Sequence, residues 1–274
     1  MSVNNFIPQL WSLRTLSALH KVLVFVNKCN RNWEGEISGK GDTLRINGVG
    51  PVTIGNYVKN TTAIVPETLT DEQQVLRITE AKYFCFEVDD VDKAQAGGTI
   101  LSDGMGQAAY GFADVADQFV ASFWEEAGSL SADTAINSVN VIAAIQSMGQ
   151  ALDEYNVPRI GRWAVLPPWL ISKLVLAKVI AENSLNTALD NGFVQRALGF
   201  DISMSNNLAL ATTYHQAMFG TNEAMTFADQ INKVEAFRPE SSFSDAVKGL
   251  HVYGAKVVQP KCLTVLSCMA LAEP

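Results

Sequence analysis

The sequence predicts an α+β fold whose sheet is assembled from distant parts of the chain. Three observations carry this. A long amphipathic helical stretch lies over 99–127 between strand-like runs, the middle of the chain alternates short helices with strands, and the C-terminal part returns to β. The 274 residues suffice for one large domain or two modest ones. With 48% hydrophobic and 18% charged residues, a substantial core is available. The formal net charge of −8 argues against a non-specific nucleic-acid binder, which needs a basic footprint.

Leu10, Leu13, Leu16, Leu19, Leu23 and Val26 follow helical spacing, so 10–27 starts as an amphipathic helix. Its β-branched VLVFV run leaves the later part open between helix and strand. Residues 33–75 are glycine-rich. Leu44 and Ile46 alternate there with Thr43, Arg45 and Asn47, Gly48-Val-Gly-Pro51 signals a turn, and VTIGNYV reads as the returning strand. This predicts a long hairpin leaving the body. A two-stranded hairpin is marginal alone in water, so it needs an outside partner. VLRITEAKYFCFEVDDV (75–91) is a firmer strand, with Phe84 and Phe86 on one face and Tyr83 and Cys85 on the other. Aromatics on both faces predict burial of at least most of both.

In the long helix Met105, Ala109, Phe112, Ala116, Phe119 and Phe123 form one stripe, with Asp114, Asp117, Glu125 and Glu126 mostly off it. Thr99 is the candidate N-cap and Gly128 the candidate residue just past the C-terminus. Val141, Ile142, Ile145, Met148, Leu152 and Tyr155 predict a second helix, stopped by Pro158. RWAVL (162–166) reads as a short buried strand, and Pro167-Pro168 opens a third helix that runs to about Lys178. Residues 180–192 are polar and loop-like. FVQRALGFDIS leading into AMFGTNEAMTFADQI predicts a strand followed by a helix, and GLHVYGAKVVQPKCLTVLSCMA two β runs broken at Gln259-Pro260.

Motifs that carry chemistry are scarce. His20, His215 and His251 are isolated, and no GxSxG, HExxH or Walker A pattern occurs. Gly48-x-Gly50 fails as a phosphate loop, because Pro51 removes an amide donor and a strand follows instead of a helix. Asp89-Asp90-x-Asp92 reads as a solvated strand exit, with divalent-cation binding as the alternative. Cys29, Cys85, Cys262 and Cys268 are widely spread and read as free thiols of a reducing, cytoplasmic setting. Neither a catalytic site nor a cofactor is expected. No basic region leads into an apolar one at the N-terminus, so no signal peptide is expected. No apolar run nears the roughly 18 residues of a membrane span, so no membrane partner is expected. Charge is uneven: residues 1–32 hold Arg14, Lys21, Lys28 and Arg31 and no acid, while 33–92 hold eleven acids against five bases. This is either an ordinary solvated surface or a basic arm of one subunit lying on an acidic surface of another.

The order of parts, with FIPQLWSLRTLSAL at 6–19, NRNWEGEISGKGDTLRI at 30–46, ALGFDISMSNNL at 197–208 and FGTNEAMTFADQINKVEAFRPESSFSDAVKGLHVYGAKVVQPKCLTVL at 219–266, resembles the major capsid proteins of tailed bacteriophages, which share the HK97 fold. The resemblance implies an N-terminal arm at 1–32 and an extended loop at 33–75. It implies a peripheral domain at 76–132 and 243–274, with a spine helix at 99–128, and an axial domain at 133–242. It implies self-assembly into an icosahedral head of hexamers and pentamers enclosing double-stranded DNA without sequence-specific binding. Inter-subunit contacts are then expected from Arg14 and Lys21 in the arm, from Trp33, Glu36, Lys40, Arg45, Val52, Ile54, Tyr57 and Lys59 in the loop, and from Asn186 and Asp190 near the capsomer axes. Scaffold, portal and decoration proteins are the further partners implied, with assembly in the host bacterial cytoplasm and residence in the virion. The chain begins at the arm, so the scaffold is expected to be separate or absent. Nothing singles out Lys40 or Lys59 for covalent cross-linking. Removing residues 37–60 is expected to leave a folded subunit that forms no shells. The rival readings are an encapsulin-type compartment shell, another phage structural protein, or an unrecognised α+β enzyme.

Overall fold

A computed structural model describes residues 24–32, 43–49, 71–89, 100–177, 193–240 and 243–273, with the single positions 53, 54, 56, 59 and 68. The helical stretch over 10–23, the Thr99 cap and the polar loop at 180–192 lie outside these residues. Val26–Lys28 form a 3-10 turn, so the end of the VLVFV run belongs neither to a long helix nor to a strand.

The long helix α1 (Ile100–Ala121) continues into a 3-10 turn, Ser122–Glu126. Met105, Ala109, Phe112 and Ala116 are buried, as the stripe requires. Ala113, Val120 and Ala121 are buried too. They widen the apolar arc as far as Asp117, which is 3% exposed and so corrects its placement off the stripe. Gly128 is not a helix cap. It follows the 3-10 turn and donates its N–H to the Pro260 carbonyl (2.8 Å), where an added Cβ would stand 2.5 Å from that oxygen.

The helix lies on an antiparallel sheet in the order β11-β12-β3, formed by β3 (Glu80–Asp89), β11 (Met225–Phe237) and β12 (Ser244–Val257). Phe84 stands opposite Gly249 and Phe86 opposite Val247, and this face packs with Met105 and Val234. Tyr83 and Cys85 are one residue out of phase and point the other way. The expected burial on both faces is corrected here: Tyr83 is 79% exposed and Cys85 is exposed. Helix α1 packs on one face, and the hairpin covers only part of the other. β11 also replaces the helix expected within AMFGTNEAMTFADQI. Its ladder to β12 runs from Met225↔Val257 to Phe237↔Ala246, and that pairing outweighs the local helix formers.

The hairpin pairs β1 (Thr43–Val49) with β2 (Asp71–Arg77), from Thr43↔Arg77 to Val49↔Asp71. The returning strand is therefore DEQQVLR and not VTIGNYV. Leu44 and Ile46 pack with Leu76 and Ile78 on Ala228, Val252 and Ala81 of the sheet. Gln74 donates to the Val258 carbonyl (3.0 Å) and Lys256 to the Val75 carbonyl (3.2 Å). The base of the hairpin thus finds its burial at home. A cut at 37–60 would strip β1 from this cluster, so the expectation of an intact subunit after that cut is corrected.

The second sheet, eight-stranded among the described residues, uses β4 (Ser129–Leu130), β5 (Thr134–Ile136), β6 (Trp163–Leu166), β7 (Phe193–Ala197), β8 (Phe200–Met204), β9 (Leu210–Ala211), β10 (Tyr214–Gly220) and β13 (Leu263–Ala270). Its main path is β4-β13-β10-β6-β8-β7, which joins segments far apart in sequence, as expected. Helices α2 (Val141–Glu154) and α3 (Pro168–Leu176) bury Ile145, Met148, Leu152, Leu170, Ile171 and Leu174 in the core that holds β6, β8, β10 and β13. Asn156, at φ +58°, stops α2 ahead of Pro158. The Val157 N–H reaches the Leu152 carbonyl (3.0 Å) and the Asn156 N–H the Asp153 carbonyl (3.0 Å), which closes the last turn in a Schellman motif.

Candidate assembly surfaces

Residues 24–32 are the root from which the expected arm and loop both leave the body. Phe25, Val26 and Cys29 are buried, and the Cys29 thiol donates to the Phe25 carbonyl (3.3 Å). On the arm side, Asp117 of α1 accepts the N–H groups of Val24 and Phe25, each at 3.2 Å. On the loop side, the Asn30 N–H donates to the Met225 carbonyl (2.8 Å), and the Phe227 N–H donates to the Asn30 carbonyl (3.1 Å). Arg31 then meets Asp229 at 2.6 Å, and the second oxygen of Asp229 lies 3.2 Å from Nε2 of the fully buried His251. Burial pushes the Asp117 carboxyl up to about 6, against the pull of the backbone amides of 24–26. Burial, with Asp117 beside it, also holds the Cys29 thiol well above its ordinary range.

Beyond the hairpin base, Thr53, Ile54, Asn56, Lys59 and Thr68 are all exposed, Ile54 by 95%. The sheet face that carries the hairpin base continues past it as an open surface. There Tyr83 stands opposite Leu250, which is 37% exposed, and Cys85 stands opposite Lys248. The Lys248 ammonium lies 5.2 Å over the ring of half-exposed Phe237. Lys233 and Lys248 both pair with Glu235 and hold its carboxyl below the usual range.

Of the contact residues expected from the sequence, Arg45, Ile54 and Lys59 are described, and all three are exposed. Arg14, Lys21, Trp33, Glu36, Lys40, Val52, Tyr57, Asn186 and Asp190 lie outside the described residues. Sequence reasoning missed the Tyr83–Leu250–Phe237 surface and the anchors Asp117 and Asp229. Alternation shows that a strand has two faces but not which one a partner covers. The cysteines read as structural: Cys262 and Cys268 are buried, and burial raises both thiols, Cys268 to about 12. Cys262 sits in the 3-10 turn Pro260–Cys262, which breaks the strand spacing between them. Among the described residues no three His, Cys, Asp or Glu side chains gather where they could hold a metal, and no helix is long and apolar enough to cross a membrane.

Residues 43–266, from β1 into β13, match the family model described as phage capsid protein. The chain belongs to the phage capsid protein family. As a major capsid protein it is a structural component of the virion and assembles with its own copies into a capsid lattice. A search of curated proteins finds no match. Among solved structures, a chain from Mycobacterium phage Che8 is 28% identical with a TM-score of 0.74, over 97% of this chain and 94% of that one. The capsid of Cyanophage P-SCSP1u is 18% identical with a TM-score of 0.68, over 85% of each chain. A virus-like particle from Pyrococcus furiosus is 12% identical with a TM-score of 0.62, over 96% of this capsid protein and all of that chain. The last two show the fold alone. The family match decides for a phage capsid over a compartment shell, and the HK97-type α+β fold implied by the resemblance is the fold observed.

Proposed function

We propose that this capsid protein builds an icosahedral head shell around double-stranded DNA, as hexamers and pentamers in which the loop of one subunit lies on the next. The division of the hairpin carries the reading. Its base is buried at home, whereas Ile54 and the other described positions between 50 and 70 are exposed. Burying one such apolar side chain in a neighbour is worth roughly 1.5–3 kcal/mol. Repeated around a closed lattice, weak contacts of this kind hold together through multivalency. The surface we assign to the incoming loop is the open half of the neighbour's sheet at Tyr83, Leu250 and Phe237. It sets the exposed apolar side chains of Tyr83, Leu250 and Phe237 around the Lys233–Glu235–Lys248 ion pairs, and it continues the face on which each subunit seats its own hairpin base.

The peripheral unit is then the three-stranded sheet with α1 and the hairpin base, and the axial unit is the larger sheet with α2 and α3. Pairing of β11 with β12, and of β13 with β10, supports drawing the boundaries near 221–224 and 258–262. The net charge of −8 suits a container that does not grip its genome. Scaffold, portal and decoration proteins are the further partners of this reading, with assembly in the host bacterial cytoplasm.

The test follows from the register. Val49 and Asp71 face each other, so residues 50–70 can be replaced by a two-residue Asn-Gly turn that leaves β1 and β2 in place. The shortened subunit is expected to melt close to the wild type and, in negative-stain microscopy, to form no shells under conditions where the wild type does. Normal shells from the shortened chain would sink the interlocking role, and wild-type particles filled with protein cargo instead of DNA would sink the head reading.

A further inference from the structure

We propose that Asp117 is a pH-sensitive clasp on the root of the N-terminal arm, gripping the exit turn more firmly as the pH falls below neutrality. The geometry is specific. One side chain, 3% exposed in the middle of α1, accepts the N–H of Val24 on one carboxylate oxygen and that of Phe25 on the other, each at 3.2 Å. Among the described residues, the exit turn is thereby tied to α1 through one titratable group. A pocket of about 190 Å³ opens beside it, between Tyr110, Asp114 and Asp117 of α1 and Ser205–Asn207 after β8, with Val24 at its edge. Water can therefore reach the carboxylate when the turn lifts, while Phe25 and Val26 belong to the core behind it.

The charged surroundings set the direction. On its own helix Asp117 feels Asp114 one turn earlier, which adds to the effect of burial. From the exit turn it faces Cys29, whose raised thiol stays protonated, while Lys28 feels Asp201 instead. The wall at Ser205, Asn206 and Asn207 is polar but uncharged. In the gripped state the carboxyl titrates at about 6. Once lifted into water it returns toward the ordinary value of about 3.9. The group is raised in the gripped state, so its contribution to the grip is fully present below the open-state value and is lost as the pH rises through 6. At neutral pH the clasp holds a buried charge and is at its weakest.

Hydrogen exchange of full-length subunits, in one assembly state, reads this directly through the amides of residues 24–26 at a series of pH values from 5 to 7.5, after division by the intrinsic chemical rates. Local opening governs their protection. Protection in the wild type is expected to be about tenfold greater at pH 5, from the two pKa values above. Asp117→Asn keeps a side-chain acceptor without titrating, and should show equal protection across the series. Asp114→Asn removes the like charge from a partly exposed position, and should move the midpoint to lower pH. A flat wild-type response, a tenfold change surviving in Asp117→Asn, or an unmoved midpoint in Asp114→Asn overturns the proposal. If Asp117→Asn fails to fold, the wild type and Asp114→Asn still decide it.

Discussion

At the scale of single residues, this subunit depends on a few places where backbone meets backbone. Gly254 of β12 lies under the crossing of β2 into β3. A Cβ there would stand 2.4 Å from the Arg77 carbonyl oxygen and 3.0 Å from Cδ1 of Ile78. The carbonyl belongs to the backbone of the β1–β2 ladder and cannot rotate away as a side chain could. Gly254→Ala must therefore lift the hairpin base off Ala228 and Val252 or bend the sheet beneath it. The expected loss is roughly 1–3 kcal/mol in denaturant unfolding of unassembled subunits. It should be accompanied by faster hydrogen exchange in β1 and β2. Wild-type stability in this variant would mean that the hairpin base does not sit where the glycine places it.

At the scale of elements, Arg162 joins the end of α2 to the start of β6. Its buried guanidinium donates to the carbonyls of Val157 (2.6 Å) and Pro158 (3.0 Å) and to Asp153 (2.7 Å). A lysine carries the charge but not the planar fork, so Arg162→Lys leaves buried carbonyls without donors. It is expected to destabilise the isolated subunit by about 1–3 kcal/mol in thermal or denaturant melts. Hydrogen bonds from Arg159 and Arg162 also hold the Asp153 carboxyl below its ordinary range. Its contribution is therefore present above that range and lost as the pH falls through the lowered value. Elements with their own strong pattern were readable from sequence: α1 and α2 show one apolar face at helical period, and β6 and β13 are short apolar runs buried on both faces within their own chain. DEQQVLR and the strand after Ala224 were not, because their pairing partners lie far away and their composition favours other states. The open face at Tyr83 and the buried Asp117 escaped for a related reason. Apolar alternation is the same whether the covering surface is the chain itself or a copy, and Asp117 sits at the edge of an arc that Ala113, Val120 and Ala121 extend.

At the scale of the whole molecule, the charge distribution sets how copies meet. All 28 acids lie beyond residue 32, while the arm segment 1–32 holds four bases and no acid. Two opposed forces follow in a lattice. The acidic bodies repel one another, and in the arm arrangement that the resemblance implies each basic arm is drawn to a neighbouring body. The repulsion involves more charge, and it acts across every contact between subunits. Salt shortens the screening length from about 30 Å at 0.01 M to about 3 Å at 1 M, and so removes long-range body–body repulsion before it weakens close arm–body pairs. Assembly measured by light scattering is therefore expected to begin at lower subunit concentration as salt is raised from the dilute range. A steady weakening of assembly with salt would give the arms the dominant part. In that case attraction of the basic arms to acidic bodies, and not burial of the loop, would be what draws subunits together.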